Sequence, residues 1–440
     1  MAQQERKSTQ RQRLLRGMVE VANRRGFSGA NVSAVIAQAG ISRPTFYEYF
    51  ADRGDCFRAS IEDVQTQLLE TVSVALQGTT PDRVASAYVE AVVAFTVEDP
   101  AAARFLMSES MTGDARALDV RDQGIEQIAA CIEKAQATAH GSVELPDLDP
   151  VVLTGSLYRV IATRLRRGEM ALSGILDDLL AWVGAYERPA AQCRWRKLHP
   201  VRAPGRSAHL PDVPLQQTPG VLPPGRTRLS EQEVGENHRL RILYAVARLA
   251  EQKGYNATTV ADITKLARID GRVFYRHFSD KQEAFVAVHE LGFQQVMDIT
   301  GKAFFSVDGW PQRSWEAGRA LVELLQENPL VTHVGFVEAY AVGAGAIQRI
   351  EDSHTSFMYF LQEGLLHSPP GAAPSRVAME AVIAGIFEIV YLKAREPEMP
   401  QVAAMLPYIA HLWLSPFLGV EKADELIDAQ LGAEAGARNS

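Results

Sequence analysis

Apolar residues recur along most of this chain at the three- and four-residue spacing of helices, and no stretch of useful length alternates apolar with polar as a half-buried strand would. Leu172, Ile175, Leu176, Leu179, Leu180 and Val183 fall on one helical face, with acidic and polar residues opposite. From Val377 to Lys393 the pattern changes, because Ala381, Val382, Ile383, Ala384, Gly385, Ile386, Phe387, Ile389 and Val390 leave almost no polar side. A helix of that kind has to be covered on two faces. The predicted fold class is all-α.

Nearer the N-terminus the pattern is shorter and punctuated. Asn31 is placed to cap a helix that buries Val32, Val35, Ile36 and Ala39, and Gly40 ends it with the backbone freedom a tight turn needs. Ile41 plugs the turn. Ser42 can cap the next helix, where Pro44 in the first turn costs no hydrogen bond, and Phe46 and Phe50, four apart, face inward. This is the grammar of a helix-turn-helix.

The same grammar occurs a second time. GFSGANVSAVIAQAGISRPTFYEYFADRGDCF begins at Gly26, and GYNATTVADITKLARIDGRVFYRHFSDKQEAF begins at Gly254, an offset of 228 with no gap. Gly26/Gly254, Ile41/Ile269, Phe46/Phe274, Tyr47/Tyr275, Phe50/Phe278, Asp52/Asp280 and Phe57/Phe285 are identical pairs. Downstream, Asp99-Pro100 answers Asn328-Pro329, Glu109 answers Glu338, and Gly155 answers Gly385. The whole half is duplicated. In the second copy Thr259 and Asp262 form a capping-box pattern before Ile263 and Leu266, and Asp270 can cap the following helix. Arg268 stands where the turn glycine is expected, at a cost of about 1 kcal/mol if the backbone there is left-handed.

With 440 residues, 47% of them apolar, the chain can bury a sizeable core and is long enough for two or more domains. The repeat divides it into a first head (1–60), a first body (61–190), a linker (191–232), a second head (233–290), a second body (291–420) and a tail (421–440). The linker carries Pro200, Pro204, Pro211, Pro214, Pro219, Pro223 and Pro224, and in extended form could reach on the order of 100 Å. Its arginines suit a solvated spacer; contact with DNA is the competing reading.

The net charge of −8 looks wrong for a nucleic-acid binder until it is divided along the chain. Residues 1–60 carry +5, 61–187 −11, 188–228 +7, 229–290 zero and 291–440 −9. A basic end on an acidic body meets phosphate with one end only. Cys56, Cys131 and Cys193 are odd in number and far apart, which speaks against a disulfide framework or a zinc site and for a reducing, cytoplasmic setting. No apolar run of about 18 residues suggests a membrane span. There is no H-x-x-x-H, G-x-S-x-G or Walker loop, and GAGAIQ from Gly343 lacks the last glycine and the preceding strand of a dinucleotide fingerprint. The expectation is therefore no enzyme, no cofactor and no metal.

The chemistry sits on the front of the second helix of each motif. With Phe46 and Phe50 inward, Ser42, Arg43, Thr45, Tyr47, Glu48 and Tyr49 are left for base edges and phosphates in a major groove. Arg53, at the N-terminus of the next helix, adds a second phosphate-binding point. The corresponding set in the second copy is Gly271, Arg272, Val273, Tyr275, Arg276 and His277, followed by Lys281.

The pattern G-F-x(5)-V-x(6)-A-G-I-S-x-x-T-F-Y-x-Y-F-x(2)-R resembles the head of the TetR family of transcriptional regulators, and each half resembles a complete member. The resemblance implies a three-helix DNA-binding head before a larger helical body that holds an effector pocket and dimerises through its last two long helices. Those helices would be about 150–167 and 172–187, and about 375–395 and 399–415. It further implies that Thr45, Tyr47, Tyr49 and Arg53, with Tyr275, His277 and Lys281, contact phosphate or bases. The partners expected are double-stranded DNA and a small-molecule effector, the role that of a repressor, and the halves would pair either within the chain or between two chains.

Residues 291–440 hold fifteen aromatics against six in residues 61–187. Phe336, Tyr340, Phe357, Phe360 and Phe387, with Glu338 nearby, would suit an apolar effector, a cationic one included, and ordinary core packing is the plainer account of the same residues. A different class of function also stays open: a ligand-binding or scaffolding protein with degenerate heads, suggested by the neutral second head and Asp270.

Overall fold

A computed structural model of the chain describes residues 2–169, 171–196, 215, 217–222, 229–396 and 402–437. Most of the expected linker, with six of its seven prolines, lies outside the described residues. The first repeat runs through α1 (Ala2–Gly29), α2 (Val32–Ala39), α3 (Arg43–Tyr49), α4 (Arg53–Leu76), α5 (Val84–Glu98), α6 (Pro100–Met107), α7 (Ala115–Gln136), α8 (Pro150–Arg166) and α9 (Leu176–Gly184). The second begins with α10 (Glu231–Lys253), α11 (Val260–Ala267), α12 (Gly271–His277), α13 (Lys281–Phe304), α14 (Trp310–Glu327), α15 (Pro329–His333) and α16 (Ala344–Thr355). It continues through α17 (Met358–Gln362), α18 (Arg376–Arg395), α19 (Leu406–Leu418) and α20 (Val420–Ala437). The fold is all-α. Among the described residues the strands are confined to one two-stranded antiparallel ladder, Glu144–Pro146 against Glu187–Pro189.

Two differences from the sequence reading have local causes. The apolar stripe from Leu172 to Val183 is one face but not one helix: Leu172–Ile175 forms a 3-10 turn, α9 follows, and the chain leaves it at Gly184 to enter the ladder strand. Residues 421–440, expected as a tail, are instead helical from Val420 to Ala437, with Ala423 and Ile427 buried. The polar character of that segment hid a narrow apolar stripe.

The chain separates into two compact bodies that do not coincide with the two repeats. One comprises residues 1–199, 355–388 and 411–426, the other 200–354, 389–410 and 427–440. In the first, α4 packs on α1, α5 and α7, and α7 on α8. Its core is built from Leu14, Met18, Phe57, Ile61, Leu68, Tyr88, Phe105 and Leu157, all essentially inaccessible. The Tyr88 hydroxyl donates to Thr154 Oγ1 at 3.0 Å, so the polar tip of a fully buried ring is satisfied across two helices. Residues 376–388 of α18 join this body, and the all-round apolar pattern is explained: from Val377 to Glu388, only Glu380 and Ile386 are more than marginally accessible.

In the second body α10 packs on α11 and α13, and α13 on α14. Trp310 and Trp315 sit at 0% and 2% exposure and anchor α14. Gln326 closes the far end of α14 by accepting a hydrogen bond from the Ala403 amide at 3.0 Å.

Candidate nucleic-acid interface

Each head is held in shape by short-range bonds. Asn31 accepts from the Ala34 amide at 3.0 Å and Ser42 from the Thr45 amide at 3.3 Å, so α2 and α3 are both capped by their own sequence. In the second copy Thr259 and Asp262 make both bonds of a capping box, and Asp270 accepts from the Arg272 amide at 2.8 Å. The Asp270 carboxylate, a negative charge near expected phosphate, is thus engaged with the backbone at the start of α12.

The turn between α2 and α3 places Gly40 at φ 62°, ψ 40°, and its counterpart Arg268 lies at φ 51°, ψ 50°. Among the described residues Arg268 is the one non-glycine with positive φ. Both turns carry the same external tie. Arg13 donates to the Gly40 carbonyl at 3.2 Å, and Arg241, its repeat partner, donates to the Arg268 carbonyl at 2.8 Å. An arginine of the first helix therefore pins a left-handed turn in both heads, whatever residue occupies it.

Phe46 and Phe274 are fully buried and anchor the two recognition helices α3 and α12. Tyr47 and Tyr275 stand edge-on to them, with ring centroids 5.3 Å apart in each copy, and are 50% and 61% exposed. Ser42, Arg43 and Glu48 are also exposed, as are Arg272 and Arg276, while Thr45, Gly271, Val273 and His277 are half-buried. Arg43 lies over α2, donating to Ser33 at 2.6 Å. Tyr49 turns partly inward and donates to Gln10 of α1 at 3.2 Å. Burial and the neighbouring His238, Arg239 and Arg276 hold the His277 imidazole below its ordinary range, so at neutral pH it is an uncharged donor and acceptor.

Arg53 and Lys281 have a second occupation. Arg53 donates to the carbonyls of Phe27 and Ser28 at 3.3 and 2.9 Å and stacks over the Phe27 ring at 4.6 Å. Lys281 donates to the carbonyls of Tyr255 and Thr258, each at 2.8 Å, and sits 4.2 Å from the Tyr255 ring. Burial lowers its ammonium from the usual lysine range. Both cations thus clamp the loop that leaves the first helix of their head.

That loop is also where head meets body. Gly26 and Gly254 both have positive φ, 64° and 80°, and in each repeat the next amide is taken by a body side chain. Phe27 donates to Thr112 Oγ1 at 3.1 Å, and Tyr255 donates to Glu338 at 2.7 Å. Glu338, considered above as the carboxylate of an effector cavity, also lies 3.7 Å from His333. Its sequence counterpart Glu109 is buried beside Arg104 and Ser108 instead. In the first repeat Arg16 pairs with Asp99, and Asn23 donates to the Ala101 carbonyl at 2.8 Å, tying α1 to the start of α6. None of Thr112, Arg13, Arg241 or Asn23 was singled out by sequence, since each acts on a residue far away in the chain.

Phe357 is 6.0 Å from Phe387 and 6.3 Å from Phe360 in the first body, whereas Phe336, Glu338 and Tyr340 belong to the second. A cavity of about 480 Å³ in the first body is lined by Ala130, Glu133, Lys134, Gln136, Ala137, Pro150 and Arg196, none of them in that set. Among the described residues no helix is long and apolar enough to cross a membrane, and no group of His, Cys, Asp and Glu is arranged to hold a metal ion.

The head geometry agrees with comparison to known proteins. Residues 14–60 and 242–288 each match the family described as bacterial regulatory proteins, tetR family. Solved structures similar to the chain include a putative TetR-family transcriptional regulator from Syntrophomonas wolfei, at 16% identity, covering 46% of this chain and 96% of that one, with a TM-score of 0.32. A TetR family transcription regulator from Marinobacter aquaeolei gives 16%, 46%, 97% and 0.31, and a transcriptional regulator from Aquifex aeolicus 20%, 44%, 98% and 0.29. No curated protein matches the sequence.

Proposed function

We propose, from the two matches to the tetR family of bacterial regulatory proteins at residues 14–60 and 242–288, that this chain is a sequence-specific, effector-responsive repressor whose two heads read unlike half-sites. The observation that carries the reading is the pair of recognition helices. Each has a phenylalanine anchor behind it and an exposed tyrosine and arginine in front, yet one front is Arg43, Thr45, Tyr47, Glu48 and the other Arg272, Val273, Tyr275, Arg276. Different side chains at equivalent positions select different bases.

The head–body joints supply a route for an effector. A ligand that favours a body conformation in which Glu338 or Thr112 no longer meets the loop amide weakens DNA binding, and by linkage DNA weakens ligand binding by the same factor. Arg53 and Lys281 contribute by fixing the loop from which each head hangs; direct phosphate contact is secondary for both. Selection of the purified protein on random duplex DNA at physiological salt tests the core of the proposal. A motif with two unlike halves supports it, and a failure to enrich any sequence refutes it. Trp310 and Trp315, buried on α14, report the effector response: persistent silence of their fluorescence across chemically diverse ligands counts against responsiveness of the second body.

A further inference from the structure

Within the first body, α8 of the first repeat lies against the 376–388 segment of α18 from the second. The contact is close because each helix offers a glycine. A methyl group on Gly155 would stand 2.3 Å from the Glu388 carboxylate carbon, and one on Gly385 would stand 2.9 Å from Ser156 Oγ. Glu388 is fully buried in the notch over Gly155, where its oxygens meet Arg121 at 3.3 Å and Arg159 at 3.4 Å. Nearby, Arg164 pairs with Glu380 at 2.6 Å. Toward the end of the same body, Arg188 pairs with Asp424 at 2.7 Å.

Across the two repeats the sign of these pairs is one-sided, arginines from the first meeting acids from the second, while within its own repeat Arg121 also meets Asp122 at 2.8 Å, Arg188 meets Asp147 at 3.3 Å and Glu380 meets Arg376 at 3.2 Å. The register that matches Gly155 with Gly385 shows what each repeat has in the reciprocal place. Opposite Glu388 and Glu380 in the alignment stand Tyr158 and Pro150, and opposite Arg159 and Arg164 stand Ile389 and Ala394. A pairing of two second repeats would therefore bury Glu388 against Gly385 with Ile389 where Arg159 stands, and a pairing of two first repeats would set Arg159 and Arg164 against a helix, α8, that holds no acid. Desolvating an unpaired charge is far costlier than the pair is stabilising, so such an arrangement acts chiefly by penalising the wrong partner.

We propose that the Arg121–Glu388–Arg159 cluster, seated in the Gly155 notch, is a pairing key that admits only a second repeat against a first, so that the helix face which would join two chains is occupied within one. The regulator is then a single chain of 48.3 kDa with one head of each kind. This rests on the reading of the heads as DNA-binding only for its consequence, an asymmetric site; the pairing itself is measured without DNA.

The test is charge exchange in the full chain. One variant carries Glu388→Arg, a second Arg121→Glu with Arg159→Glu, and a third all three changes. Sedimentation and energy transfer between differently labelled chains give the result. The wild type is expected to remain a single chain from nanomolar to micromolar concentration. Each of the first two variants should lose that compact single-chain state, their mixture should form a two-chain complex, and the third should recover the single-chain mass and most of the melting temperature. If the first two fail to fold separately, co-expression replaces mixing, with the same two-chain complex expected. A two-chain wild type, a mixture or co-expression that yields no complex, or a third variant that recovers nothing overturns the proposal. Sequence selection on DNA, scored separately, shows whether the reading of the heads stands or falls independently.

Discussion

Arg268 is the residue at which backbone and side chain disagree most openly. Its φ of 51° matches that of Gly40 in the other copy, and L-residues with a Cβ resist that conformation. Arg268→Gly should stabilise the second head by about 1 kcal/mol, read as a shift in the denaturation midpoint, with little change in DNA affinity because the Arg241 tie is to the carbonyl. Lys281 makes the opposite kind of prediction. Its ammonium serves loop carbonyls, so Lys281→Ala should cost about 2 kcal/mol of stability while leaving the salt dependence of DNA binding nearly unchanged. A slope that falls by a full counterion would restore Lys281 to the phosphate contacts. Arg43→Ala and Arg272→Ala are expected to weaken binding by about 1 to 3 kcal/mol each, in a titration with the selected site. Identities at these positions were legible in the sequence. What Lys281 touches was not, because its acceptors are carbonyls 23 to 26 residues away.

At the scale of elements, both heads follow from local rules. A capping side chain, a left-handed turn and two phenylalanines four apart are sufficient to specify α2–turn–α3 and its repeat, and all of these lie within about twenty consecutive residues. Thr259→Ala removes one half of a capping box and should destabilise the second head by about 1 kcal/mol in chemical denaturation. The joints to the bodies were less visible. Glu109 and Glu338 align in sequence, yet only Glu338 accepts a loop amide, and in the first repeat Thr112 does so. Duplication preserved the need for a partner at that amide and let a different side chain meet it.

At the scale of the whole chain, the second body has a built-in sensitivity to acid. His289 is buried between Phe293 and His354, and desolvation holds its imidazole down at about 4. It folds neutral and is protonated near 6.5 when unfolded, so the stability it permits is complete above about pH 6.5 and drains away as pH falls toward 4, by about 3 kcal/mol in all. His289→Phe should flatten that part of the stability-against-pH curve, measured as the difference from the wild type between pH 7 and 4.5. An undiminished slope would place the acid sensitivity elsewhere.

The sequence by itself determined the all-α class, the duplication, the two helix-turn-helix heads and their caps, since each depends on residues near one another along the chain or on a pattern repeated at a constant offset. Even the matched glycines 155 and 385 could be found that way. Only the tertiary structure decided what those glycines are for, which carboxylate fills the notch over one of them, and that Arg53, Lys281 and Glu338 are spent on the loops that join heads to bodies. The physical reason is the same in each case: an exposed charge and a buried, partnered one are spelled with the same letter, and the partner is brought up by folding from 25 to more than 250 residues away.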